Sequence, residues 1–89
     1  MTTLYQKFDP RVRRAERLSK EIFRSLQAYC SQLDIDSDIL LVDITPNLHV
    51  VTVYCTDPAP YYEYFSSIRS YLARSLQLRR LPHIKFTVL

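Results

Sequence analysis

The sequence predicts an α+β domain in the order helix, strand, strand, helix, strand, with the helices packed on one face of a three-stranded sheet. Three observations carry this. Apolar residues recur at spacings of three and four in two separate stretches, the mark of helices lying on a core. Three short runs rich in β-branched and aromatic residues fall between and after those stretches. Proline-bearing turns divide the segments. With 89 residues, 47% hydrophobic and 24% charged, the chain suffices for one globular domain with its core over about residues 10–88.

The first helix opens at Asp9-Pro10, because Asp caps helix N-termini and Pro is favoured at the first helical position. Ala15, Leu18, Ile22, Leu26, Tyr29 and Leu33 then fall within an arc of about 80°, and Arg13, Arg17, Lys20 and Arg24 within an opposing arc of about 60°. The helix is expected to stop near Asp34. The acidic loop 34–38 follows, and its three aspartates resemble the first ligands of a calcium loop. Ile39 stands where such a loop needs Gly and Thr45 where it needs Glu, so no calcium site is expected.

Residues 39–44 and 49–55 read as strands joined by the turn Thr45-Pro46-Asn47-Leu48, a β-hairpin. Asp57-Pro58-Ala59-Pro60 breaks the chain again. Tyr61, Phe65, Ile68, Leu72 and Leu76 mark a second amphipathic helix running to about Leu78. Ile84 to Val88 alternate as a final strand.

Composition excludes several function classes. Glycine is absent, where an average usage near 7% would supply about six residues. Gly-rich phosphate cradles are therefore ruled out, since they need a Cα without a side chain beside the phosphate. No stretch approaches the ~20 consecutive apolar residues of a membrane span. Residues 1–10 lack the apolar core of a secretory signal and are too plain for a transit peptide. Two Cys make neither a disulfide scaffold nor a metal framework.

Charge is segregated. Residues 11–24 carry six bases and two acids, residues 34–63 six acids and no Lys or Arg, and residues 64–89 five bases and no acid. Such a layout fits a polyanion-binding surface drawn from both ends of the chain, and equally fits two solvated helix faces. On the first reading the two basic runs meet on one flank. Nine Arg against three Lys favour RNA, because guanidinium forks onto phosphate and stacks on unpaired bases. Tyr29 and Tyr61 belong to the apolar stripes and are expected in the core, whereas Tyr62 falls off its stripe. No catalytic constellation emerges: neither His49 nor His83 is placed to activate Cys30 or Cys55, and Cys30 reads as a buried thiol.

The last helix and strand carry a resemblance. Ile68-Arg69, Leu72, Leu76, Leu78-Arg79, Pro82 and Phe86 fall in register with a pattern G-f-I-R-x-x-L-x-x-x-L-x-L-R-x-x-P-x-L-x-F. Val42-Asp43-Ile44-Thr45-Pro46-Asn47-Leu48 with Val53-Tyr54 is similar to V-x-[IL]-S-x-D-L…V-Y, and Arg14 with Leu18-Ser19-Lys20-Glu21-Ile22 to R-x-x-x-I-x-[KR]-E-[IL]. These segments, over about residues 11–88, resemble the ribosome-binding factor A family. The chain departs from it at Ser66, where the family has the Gly of a kink between two helices, and at Asn47, where it usually has Asp. Its stretch 55–65 is also short, so the helix before the kink is expected to be shortened or lost.

The resemblance implies a type II KH-like domain that binds 16S rRNA in the free small (30S) ribosomal subunit and assists its maturation. Cold adaptation often accompanies that role, and no catalytic residue or cofactor is implied. The expected RNA-facing residues are Arg13, Arg17, Lys20, Arg24, Arg69, Arg74, Arg79, Arg80 and Lys85. The protein is expected to be a monomer without a membrane partner, in the bacterial cytoplasm or an organelle. The alternative is a degenerate KH-like protein-interaction module that has lost RNA binding.

Overall fold

The computed structural model describes residues 10–35, 38–78 and 80–89. The cap residue Asp9, Asp36 of the acidic loop and Arg79 of the candidate surface lie outside them. Helix α1 (Pro10–Gln32) buries Ala15, Leu18, Ile22, Leu26 and Cys30, the stripe that its spacing requires. Its end is a Schellman motif. Ile35 N–H donates to the Cys30 carbonyl (2.9 Å), Asp34 N–H donates to the Ser31 carbonyl (3.3 Å), and Asp34 takes the left-handed conformation at φ 61°.

Strands β1 (Ile39–Ile44) and β2 (Val50–Cys55) pair antiparallel, and β2 pairs parallel with β3 (His83–Val88), giving the order β1-β2-β3. The register slips between Ile39 and Leu41. That bulge lets both Ile39 and Val42 face the core while Leu40 and Leu41 face solvent. The hairpin turn is held by side chains rather than by glycine. Leu48 adopts φ 62°, and Thr45 Oγ1 accepts from the His49 and Val50 amides (3.2 Å each). Asn47 Oδ1 accepts from the His49 amide (3.1 Å), an Asx turn that needs only a side-chain oxygen, so Asn serves there as Asp would.

The predicted single helix from Tyr61 to Leu78 is instead two: α2 (Ala59–Glu63) and α3 (Phe65–Leu76). The break falls at Tyr64 (φ −106°, ψ 24°), not at Ser66, which lies within α3. A negative φ needs no glycine, so the chain bends there without one. Helix α2 is shortened to five residues but not lost. Spacing alone conceals the break, because Tyr61 and Phe65 keep the i, i+4 relation across it.

The helices cover one face of the sheet. Ile22, Leu26, Ile68 and Leu72 meet Val51, Val53, Ile84 and Phe86 in a core with no buried polar or charged side chain among the described residues. Tyr29 of α1 stacks on Tyr71 of α3 (centroids 4.2 Å apart), and the buried Tyr61 stacks on Phe86 (4.9 Å). The α+β, KH-like arrangement expected from the sequence is the one observed.

Candidate nucleic-acid interface

Arg13, Arg17, Lys20 and Arg24 are all exposed on α1, opposite its buried stripe. They form a ridge about 16 Å long at 1.5 Å per residue. Helix electrostatics do not account for it. The first turn of α1 has no acid and the last no base, so neither end is arranged to suit the macrodipole, and of the ridge only Arg13 stands in a terminal turn.

The other cations disperse. Arg69 and Arg74 are five residues apart on α3, about 140° of rotation, and so occupy different flanks. Arg69 is half-buried with its guanidinium carbon 5.9 Å from the Phe65 ring centroid. Lys85 is exposed between the buried Ile84 and Phe86, so it projects from the open face of the sheet, away from the helices. Arg80 is exposed in the connection to β3. The expected single flank therefore needs correction: strand alternation sends Lys85 to the face opposite the α1 ridge.

Part of the positive charge does gather at one end of the molecule. The N-terminal half of α1 borders the β1–β2 turn, where Arg11, Glu16 and Asn47 line a groove of about 700 Å³. At the same end, Asn47, His49, Arg80 and His83 line a second cleft of about 400 Å³. The acids gather at the other end, where Asp34, Asp38, Asp57 and Glu63 line a groove of about 560 Å³. Topology explains the segregation, since α1 runs from the first end to the second, β1 runs back, and β2 returns.

Asp38 is the hub of the acidic end. Its Oδ1 accepts from the Tyr61 hydroxyl (2.5 Å), and its Oδ2 accepts from the Thr56 hydroxyl, the Thr56 amide (3.1 Å) and the Asp57 amide (2.9 Å). Its own N–H donates to Tyr61 Oη (3.1 Å). Desolvation pushes the Asp38 carboxyl upward, but the hydrogen bonds from Thr56, Tyr61 and Asp57 together hold it below the usual carboxylate range. Burial, then donation to Asp38, pushes the Tyr61 hydroxyl well up. Hydroxyls and amides, rather than arginines, thus occupy this aspartate.

Sequence reasoning missed what Tyr62 does. Its ring is half-exposed, yet its hydroxyl donates to the Phe86 carbonyl (2.9 Å) and accepts from the Phe86 amide (3.0 Å). Tyr62 thereby caps the open edge of β3. Cys30 and Cys55 are buried free thiols whose pKa is raised, chiefly by burial. Cys55 Sγ faces the Thr87 carbonyl (3.6 Å), and His49 is exposed in the turn. Among the described residues no three His, Cys, Asp or Glu side chains group as metal ligands, and no helix is long and apolar enough to cross a membrane.

No protein-family model and no curated protein matches the sequence. Among solved structures, the chain is similar to the crystal structure of ribosome-binding factor A from Thermus thermophilus. That similarity has a TM-score of 0.68 and 20% identity, over 83% of this chain and 94% of that one. The order of elements, the mixed three-stranded sheet and the helices on one of its faces make this the fold of ribosome-binding factor A.

Proposed function

We propose that this protein is a non-enzymatic ribosome biogenesis factor that binds 16S rRNA of the small subunit and assists its maturation, acting in the cytoplasm or an organelle. One observation carries the reading: a chain with the fold of ribosome-binding factor A bears, on its first helix, a ridge of four exposed cations, Arg13, Arg17, Lys20 and Arg24, opposite the buried stripe. Cations in such a row gain affinity for a polyanion by releasing its condensed counterions. Arg17, Lys20 and Arg24 contribute the centre of the surface, with Arg13, Arg74 and Arg80 towards the basic end. Arg69 and Lys85 remain assigned to RNA as peripheral contacts, and Arg79 is assigned to RNA with them.

Binding to purified small subunits or 16S rRNA, measured across salt concentrations, tests the reading. If about five cations reach phosphates, log affinity falls against log salt with a slope of about −3 to −5. A slope near zero overturns it. The five-residue α2 and the acidic groove favour a second reading, a protein-interaction module without RNA. Co-sedimentation separates the two, since a biogenesis factor pellets with free small subunits and the module does not.

A further inference from the structure

The cleft at the basic end has a construction that the α1 ridge lacks. Leu48 and Leu81 are half-buried and Pro82 is buried, which gives it an apolar floor. Exposed His49, Arg80 and His83 form its rim, and among the described residues no carboxylate lines it. The two walls are fastened together, because the His83 amide donates to the His49 carbonyl (2.8 Å). Asn47 completes the rim. Its Oδ1 is committed inside the turn to the Thr45 hydroxyl (2.6 Å) and the His49 amide (3.1 Å), so its NH₂ is the part of the amide left to serve a ligand. At about 400 Å³ the space lies within the range of small-ligand sites.

We propose that this cleft holds one unpaired nucleotide of RNA. Its base lies on Leu48, Leu81 and Pro82, an edge of the base accepts from the Asn47 amide, and its phosphodiester lies among Arg80, His49 and His83. An apolar platform beside a guanidinium and two imidazoles suits the two halves of a nucleotide, whereas a bare anion would leave the floor unused. The proposal rests on the RNA reading and deepens it, by adding a single-stranded subsite to a ridge that contacts backbone. The charged groups around the imidazoles are Arg80 on the rim, Lys85 two residues along β3, and Asp43, Glu16 and Arg11 in the adjoining groove.

The test uses the full chain and the dinucleoside monophosphate UpU, with NMR of the imidazole carbon–proton signals as readout. Addition of UpU is expected to shift the His49 and His83 signals saturably. Arg80→Ala with His83→Ala should lose at least about tenfold in affinity, while Gln32→Ala, exposed at the far end of α1, leaves UpU binding unchanged. Equal shifts with dimethyl phosphate, which has no base, would overturn the nucleotide assignment. So would silent imidazole signals under UpU while 16S rRNA still binds with a steep salt slope, a result that leaves the wider RNA reading intact. Loss of rRNA binding with UpU binding retained would fail the wider reading alone.

Discussion

At the scale of single residues, the chain solves without glycine a problem that glycine usually solves. Asp34, Leu48 and Gln77 all hold positive φ, at 61°, 62° and 52°. Each side chain bears the Cβ–carbonyl clash of the left-handed region, about 1–2 kcal/mol. Asp34 and Gln77 are exposed helix ends, so only backbone is at stake. Asp34→Gly and Gln77→Gly are therefore expected to stabilise the protein by up to ~1 kcal/mol each, a gain readable as a raised denaturant midpoint. A fall in midpoint for both would mean that the side chains, not the backbone, set the local energy. Leu48 is different, because it packs against the core and floors the cleft.

Tyr62 gives the second residue-scale expectation. Its hydroxyl satisfies both the N–H and the C=O of Phe86 on an edge strand. Tyr62→Phe keeps the ring contacts with Phe65 and Phe86 but exposes that edge. A loss of about 1–2 kcal/mol and new concentration-dependent association should follow, seen in thermal melts and light scattering. A variant as stable and as dispersed as the parent would show that water serves the edge equally well.

At the scale of elements, α1 and all three strands are legible in the sequence, because periodicity and β-branched runs report burial directly. Ala15, Leu18, Ile22 and Leu26 are expected inside from their spacing and lie there. The break at Tyr64 is not legible, since it preserves helical phase from Tyr61 to Phe65. Nor is the bulge at Leu40, where one extra residue shifts the face of Ile39 without altering composition. The site divides in the same way. The α1 ridge follows from helix arithmetic, but the cleft joins the hairpin turn to the start of β3, and the Asp38 hub joins two loops to α2. Those meetings exist only once the sheet has formed.

Helix α1 carries its own prediction. Its ridge cations are exposed, and Ala is the strongest helix former. Replacing Arg17, Lys20 and Arg24 together by Ala should leave thermal stability unchanged or slightly raised while weakening binding to 16S rRNA and flattening its salt slope by about two to three units. Destabilisation instead would mark the ridge as a structural element and remove the electrostatic argument for RNA.

At the scale of the whole molecule, about 42 × 28 × 18 Å, four acids line a groove at one end, and that end fastens the fold. Asp38 ties the loop before β1 to the turn after β2 and to Tyr61 of α2, so its ionisation couples to global stability. The carboxyl is held below its unfolded value near ~3.9, so around pH 4 the unfolded chain binds more protons than the folded one. Its contribution is complete above about pH 5 and is lost as pH falls through the folded value. Tyr61, and the thiols of Cys30 and Cys55, are shifted the other way. Their contributions are complete below the unfolded values, near ~8.5 for thiols and ~10 for tyrosine, and are lost as pH rises through the folded ones. Stability should therefore form a plateau across neutral pH, with an acid limb to which Asp38 contributes. Asp38→Asn keeps a side-chain acceptor for the amides but removes the charge. Urea midpoints at pH 7, 4 and 2.5 should fall steeply for the parent, whereas the variant starts lower at pH 7 and declines less. Parallel acid limbs in the two proteins would move the cause elsewhere, to the remaining carboxylates of the acidic groove.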